Sequence, residues 1–455
     1  MLPATYRKLV SLAWPIVLAR ATQSVVGFSD ALMVAPLGEA PLAAVTTGAM
    51  NTFALIILPL GTVFILQSFA AQLRGRGDLA AVRRYAFYGL LLAAFAELLA
   101  IATIPLVPWV LARFRYEPAV HDAMATYMRI RLLSVGVAVG AEALGNWYGG
   151  LGNTRIAMIT GIVTMVSNVG LNWLLIEPRF GLPGYGVAGA AWASTIAGTL
   201  GFLVVLSIFA AGIGLEEATR GPRGELRARE LRRVLRFGLP NGVNWFLEFA
   251  AFILFINVAV AHLGTTVLAA FNVVMQLNSI SFMPAFGVAS AGAILVGEAI
   301  GKDAKDEVWP IVRRTGVTAC AWMVTVGALY LVAPARLIAL FRPRDLPAEV
   351  LVATGTTMLM MSALWQLFDG LGLTLGEALR AAGDTTWCMF ARILLAWAVF
   401  TPLAWTAILV LGGGVVTLMI ALIIYIALLA GAFAWRFASG RWRSIEMVET
   451  EPVGI

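Results

Sequence analysis

Three acidic residues stand in the middle of long apolar runs: Asp30 in SVVGFSDALMV, Glu248 in LPNGVNWFLEFAAFILFINVAVAH and Asp369 in LWQLFDGLGL. A carboxylate at membrane depth is costly. It faces a protein interior or a watery cavity, where it titrates, binds a cation or pairs with a base. Glu97, Glu142 and Glu377 also lie in or near apolar segments. We place Glu142 and Glu377 near helix ends, close to water, and Glu97 at a helix-packing contact. Arg20 is ten residues from Asp30, about 15 Å along a helix. That is too far for a direct pair, so Arg20 either neutralises another acid or lines a cavity.

Polar and aromatic side chains accompany these acids. Asn168 and Asn172 are four residues apart, as are Asn272 and Gln276, so each pair shares a helix face. Each pair either coordinates a cation or substrate, or makes interhelical hydrogen bonds. Trp245 and Trp365 precede Glu248 and Asp369 by about a turn. They are either contacts for a cationic ligand or core. Pro15, Pro240, Pro59 and Pro284 mark places where a helix loses a hydrogen bond and bends. Pro15 and Pro240 are candidate hinges; passive packing is the alternative.

Several chemistries have no residues to carry them. No phosphate loop is present: GEAIGKD at 297–303 is one residue short and ends in Asp. GGLGNT at 149–154 is a lone glycine cluster, and no Ser/His/Asp spacing stands out. Two histidines, His121 and His262, exclude a histidine-rich metal centre, and Cys320 and Cys388 lie in apolar runs as core residues. We therefore expect neither an enzyme nor a cofactor. Without ATP hydrolysis, any active transport has to use an ion gradient.

The elements that must position these groups are membrane helices. The chain is 455 residues long, 60% hydrophobic and 13% charged, with mean hydropathy +0.87, which excludes an ordinary soluble or disordered protein. The net charge of +7 sits in short loops beside apolar runs, which is a topology signal; no nucleic-acid partner is expected. Runs of about 20 apolar residues suffice to span a bilayer. Twelve such helices are predicted near 9–36, 42–72, 85–112, 128–150, 155–177, 187–213, 234–262, 266–299, 311–341, 350–380, 386–410 and 414–437. Basic residues concentrate on one side, in Arg7, Lys8, Arg74, Arg76, Arg83, Arg84 and the segment holding Arg220, Arg223, Arg227, Arg229, Arg232 and Arg233. The other side holds fewer, among them Arg113, Arg115, Arg342 and Arg344. Both termini are therefore expected in the cytoplasm.

The polar segment 214–233 separates two repeats. LAWPIVLARATQ at 12–23 aligns with FGLPNGVNWFLE at 237–248 through Pro15 and Pro240, and Leu37-Gly38 aligns with Leu263-Gly264, at an offset of 225 or 226. The expected fold is an all-α membrane protein of twelve transmembrane helices in two pseudo-symmetric six-helix bundles. The bundles cover 1–213 and 234–437, with a basic cytoplasmic linker at 214–233 and a cytoplasmic tail at 438–455. An even number of helices per repeat gives both copies one orientation, which places a substrate site near the midplane. The deep acids break the repeat: Asp30 aligns with Ile256 and Glu248 with Gln23. Acids unique to one copy indicate a specialised role.

GFSDALMV (27–34), LGNTR (151–155), LPGYGVAGAAWAST (182–195), the LEF segment with Glu248, and LFDG with AAGDT (367–384) resemble the multidrug and toxic compound extrusion (MATE) transporters, most closely their NorM-type bacterial branch. The resemblance covers nearly the whole chain. It implies a multidrug efflux antiporter of the bacterial inner membrane that exports cationic, amphipathic drug-like compounds in exchange for Na+ or H+ by alternating access. A monomer is expected. Residue by residue, it implies that Asp30, Glu248 and Asp369 are the cation-coupling acids, Glu248 and Asp369 being the Na+ ligands if sodium is the ion. Asn168 and Asn172 would face the first-half cavity, and Asn272, Gln276, Trp245, Trp365 and Arg20 complete the expected substrate cavity. Phe271-Asn272, Trp365 and Arg20 depart from the family pattern, and a fixed charge at Arg20 would disfavour cationic drugs. Two rival readings are a lipid-linked oligosaccharide flippase of the same wider superfamily, which calls for a basic cavity, and a non-transporting membrane scaffold.

Overall fold

The computed structural model describes residues 4–114, 116–220, 225–341 and 348–448. Arg115, Arg223, Arg342, Arg344 and the tail beyond 448 lie outside them. Among the described residues every regular element is a helix, apart from an isolated bridge between Arg179 and Leu182.

In chain order the first helices are α1 (Ala4–Val34), α2 (Glu39–Phe64), α3 (Leu66–Arg76), α4 (Leu79–Thr103), α5 (Val107–Leu111), α6 (Pro118–Arg131), α7 (Val135–Gly150), α8 (Arg155–Leu175), α9 (Gly186–Ala210) and α10 (Glu217–Arg220). There follow α11 (Ala228–Phe255), α12 (Thr265–Gly301), α13 (Val308–Val332), α14 (Pro334–Ala339), α15 (Ala348–Ala381), α16 (Thr385–Ile393), α17 (Thr401–Trp405) and α18 (Val415–Ala438). Local chemistry explains the ends. Asp78 caps α4 by accepting from Ala81 N at 3.0 Å, after Gly77 has closed α3 in the left-handed region. Gly38 and Gly264, paired by the repeat, precede α2 and α12 with φ of 113° and 106°. Only glycine takes that conformation without strain, so the duplication is visible in the backbone itself.

Among the described residues, eleven helices are long and apolar enough to cross a membrane. The twelfth span is α6 and α7, split by a 3-10 turn at Leu132–Ser134. A distant side chain meets the split: Glu97 on α4 accepts the backbone N–H of Gly136 at 2.5 Å. It satisfies a donor at the new helix start, where the first turn leaves N–H groups unpaired. Glu97, expected to be a packing contact, is thus a helix cap. The predicted span 386–410 also departs from a plain α-helix, with π segments at Leu394–Phe400 and Thr406–Val410.

The chain divides into two compact units, Leu18–Gly242 and Met1–Val17 with Val243–Ile455. The division falls inside α1 and α11, just after Pro15 and Pro240, and not at the 214–233 linker. Packing within each unit explains why. A Cβ on Gly287 would meet Val17 Cγ2 at 2.5 Å, so the start of α1 lies against α12. A Cβ on Gly242 would meet the Leu58 carbonyl at 2.3 Å, so the start of α11 lies against α2. Segment 214–233 is not simply a solvated linker. It contains α10 and the first residues of α11, and Glu230 is buried, with Arg84 Nη2 at 2.7 Å and Tyr88 Oη donating at 2.7 Å.

Candidate functional site

Within Leu18–Gly242, Asp30 on α1 is buried among donors. Asn168 Nδ2 and Asn172 Nδ2 on α8 donate to its Oδ1 at 3.0 and 2.5 Å, and Ser194 Oγ on α9 donates to its Oδ2 at 2.8 Å. The four-residue spacing that puts both asparagines on one face delivers both amides to one carboxylate. Asn168 and Asn172 are fully buried. A carboxylate only accepts hydrogen bonds, and here both oxygens are supplied. Two of the three helices that meet here contribute amide or hydroxyl donors, and none of the direct partners carries a charge. Ser194 was missed by sequence reasoning because it stands in the glycine-rich LPGYGVAGAAWAST motif, where a lone serine gives no signal.

Arg20 does not reach Asp30. Its Nη2 lies 2.6 Å and its Nη1 3.3 Å from the two Glu142 oxygens, and Nη1 is 3.4 Å from Gln23 Oε1. Asn146 Nδ2 donates to the same Glu142 carboxylate at 2.8 Å. Arg20 thus neutralises another acid, Glu142, and its charge is balanced inside this unit. Removing one partner of such a pair strands the other. Glu142→Gln is expected to destabilise the protein by about 3–5 kcal/mol, seen as a lower unfolding temperature in detergent. The double variant Arg20→Gln/Glu142→Gln should recover most of that loss.

In the second unit, Glu248 on α11 is half-buried and receives Arg392 Nη1 at 2.6 Å, from the last turn of α16. The Arg392 guanidinium lies over the Phe433 ring, 5.3 Å from its centroid. Asp369 on α15 lies within electrostatic reach of both Glu248 and Arg392. Among the described residues Asp369 has no hydrogen-bond or ion-pair partner. The Tyr425 hydroxyl on α18 is near Glu248 but outside hydrogen-bond geometry. The side chain of Trp397, in the π segment after α16, donates to Leu247 O at 3.2 Å and ties that segment to α11 beside Glu248. The predicted pairing of Glu248 with Asp369 is therefore a cluster of two carboxylates and one arginine. Arg392 was missed because it reads as a lone base in an apolar helix, 144 residues from Glu248. No group of three or more His, Cys, Asp or Glu side chains gathers among the described residues.

The remaining expectations separate. Trp365 is only 3% exposed. It belongs to an apolar core cluster with Phe255, Phe271 and Phe400, which matches the core alternative for this residue. Trp245 is half-buried, while Asn272 and Gln276 are exposed. No hydrogen bond joins Asn272 or Gln276 to Glu248, Asp369 or Asp30 among the described residues. The polar chemistry of α12 lies instead at Asn278 and Ser281, which meet Gln366 and Ser362 of α15. Gln366 Nε2 donates to Asn278 Oδ1 at 2.7 Å, Asn278 Nδ2 to Ser362 Oγ at 3.2 Å and Ser281 Oγ to Gln366 Oε1 at 3.3 Å. All four are buried. Pro15 and Pro240 both sit inside continuous helices.

Comparison with known proteins places this architecture. The MatE family profile matches residues 15–174 and 240–406. A probable multidrug resistance protein NorM from Deinococcus radiodurans is 30% identical over 96% of this chain and 97% of its own length. The multidrug resistance protein NorM of Vibrio cholerae is 27% identical over 87% of this chain and 85% of its own. In fold, a MOP superfamily transporter from Pyrococcus furiosus superimposes with a TM-score of 0.87 at 18% identity, covering 97% of this chain and 98% of that one. A eukaryotic MATE transporter superimposes with a TM-score of 0.82 at 16% identity, covering 96% of each chain.

Proposed function

The chain belongs to the MatE family, and on that premise we propose that it is a multidrug efflux transporter that exports organic cations in exchange for Na+ or H+. The observation that carries the coupling is the second-unit cluster. Two helices, α11 and α15, each bring a carboxylate into an apolar bundle, and among the described residues one arginine is there to balance them. A residual negative charge at that depth is expensive unless a cation or proton joins it. Asp30, fixed by Asn168, Asn172 and Ser194, is a first-unit acid that either carries a proton or contacts substrate.

The coupling follows from competition or from opposed preferences. If ion and drug share the acids, or each favours a different facing of the protein, entry of one drives exit of the other. Pro15 and Pro240, beside the points where α1 and α11 pass from unit to unit, are the proposed hinges. The balance of Arg20 by Glu142 removes the objection that a fixed charge would repel cationic drugs. It also weakens the flippase reading, which needs a basic cavity for an anionic pyrophosphate. The bias of basic residues supports cytoplasmic termini in a bacterial inner membrane, and a monomer is the working unit. Ethidium efflux from proteoliposomes containing the purified chain tests this reading. Efflux is expected only while a cation gradient is imposed; efflux that ignores the gradient contradicts it.

A further inference from the structure

The ion pair on Glu248 changes what the acid is for. Arg392 uses one Nη1 bond on Glu248 at 2.6 Å, and its buried Nε has no partner among the described residues. A guanidinium carries five donors in a fixed fork; here it sits within electrostatic reach of a second carboxylate, Asp369, that has no direct partner among the described residues. Its backbone setting is unusual. Arg392 is followed almost at once by the π segment Leu394–Phe400, and α11 also turns to π geometry at Ile256–Val260. Such bulges are rare and recur at functional sites. The Trp397 to Leu247 bond joins the first of them to the turn of α11 that carries Glu248. The arginine and its acid are thereby held in register.

Resting on the cation-coupled reading above, we propose that Arg392 is a built-in counter-cation that sets this cluster to a net charge of minus one. In this arrangement Glu248 is a positioning residue: it holds Arg392 away from Asp369. Asp369 is then the group left open to one monovalent cation at a time. The proposal separates two explanations for a defect at position 248. If Glu248 were an indispensable ion ligand, nothing at Arg392 would repair its loss. If Glu248 instead restrains Arg392, its loss lets the guanidinium fall onto Asp369 and cancel the site, and removing the guanidinium as well restores a net charge of minus one.

The experiment is ethidium efflux from proteoliposomes made with full-length Glu248→Gln, Arg392→Gln and the double variant. Whichever of an imposed sodium or proton gradient drives the unmodified chain is used. Gel filtration and thermal unfolding establish that each variant is folded. Glu248→Gln is expected to lose efflux at least roughly 100-fold, and Glu248→Gln/Arg392→Gln to recover at least roughly 10-fold of that loss. Arg392→Gln alone leaves a cluster of minus two, so the half-saturating concentration of the driving cation should fall roughly 10-fold, with slower turnover because the cation leaves less readily. A merely structural arginine would leave the half-saturating concentration unchanged, and any rescue it gave would follow the recovery of thermal stability. A folded double variant as inactive as Glu248→Gln overturns the inference, as does Arg392→Gln with an unchanged half-saturating concentration. Should Arg392→Gln alone not fold, the double variant, which strands no charge, decides the matter; should the double variant not fold, the shift in Arg392→Gln decides it. Absence of gradient-driven efflux in the unmodified chain is a different failure, that of the transport reading itself.

Discussion

Asp369→Asn is expected to abolish gradient-driven efflux while leaving the protein folded in the membrane. Asparagine keeps the size and polarity of the side chain and removes only its charge. The pair left behind, Glu248 with Arg392 at 2.6 Å, is neutral. A site of zero net charge in an apolar bundle has nothing to draw in a cation. The loss should be roughly 100-fold or more, equivalent to about 2.7 kcal/mol of the barrier. Because Asp369 makes no hydrogen bond or ion pair with the described residues, its replacement strands no partner, and the unfolding temperature should stay close to that of the unmodified chain. Ethidium efflux in proteoliposomes and thermal unfolding in detergent read the two halves of this expectation. Retained efflux would remove Asp369 from the coupling site.

Gly150→Val should fail at an earlier step, in folding. Gly150 ends α7 where that helix lies on α3. A Cβ there would stand 2.4 Å from the Gln67 carbonyl oxygen, 2.7 Å from Ala70 Cβ and 3.0 Å from Ala71 N. Two of those three atoms are backbone and cannot step aside as a flexible side chain would. Small residues at such crossings let membrane helices approach closely. Overpacking costs about 1–3 kcal/mol, and a branched side chain against a carbonyl oxygen belongs at or above the upper end. The variant should elute as aggregate in fluorescence-detected gel filtration; a monodisperse protein with unchanged unfolding would contradict the packing described.

These two positions show how differently a site and its scaffold are written in a sequence. The acids were legible because charge in an apolar run is conspicuous, and Asn168 with Asn172 because a four-residue spacing fixes a helix face. The duplication was legible through Pro15 and Pro240 and through Gly38 and Gly264, since these residue types are dictated by the backbone. The cluster at Gly149 and Gly150 was visible as well, but its purpose was not, because the atoms it makes room for belong to Gln67 and Ala70, some eighty residues earlier. Partners across the fold were hidden for the same reason. Nothing local to Arg392 announces Glu248, and nothing local to Leu132–Ser134 announces that Glu97 will cap a helix there. Nearness of Trp365 to Asp369 along the chain does not say which way its ring turns. A residue one turn away on a buried helix is as readily turned into the core as into a cavity, and burial against Phe255, Phe271 and Phe400 decides for the core.

Whether the carboxylates of this chain couple a cation gradient to drug export is decided by loading proteoliposomes with ethidium and imposing sodium and proton gradients separately, each with the other held at equilibrium. Efflux is expected under at least one of the two gradients and not when both are collapsed. Equal efflux with and without gradients, or none under either in a folded and inserted protein, would contradict it.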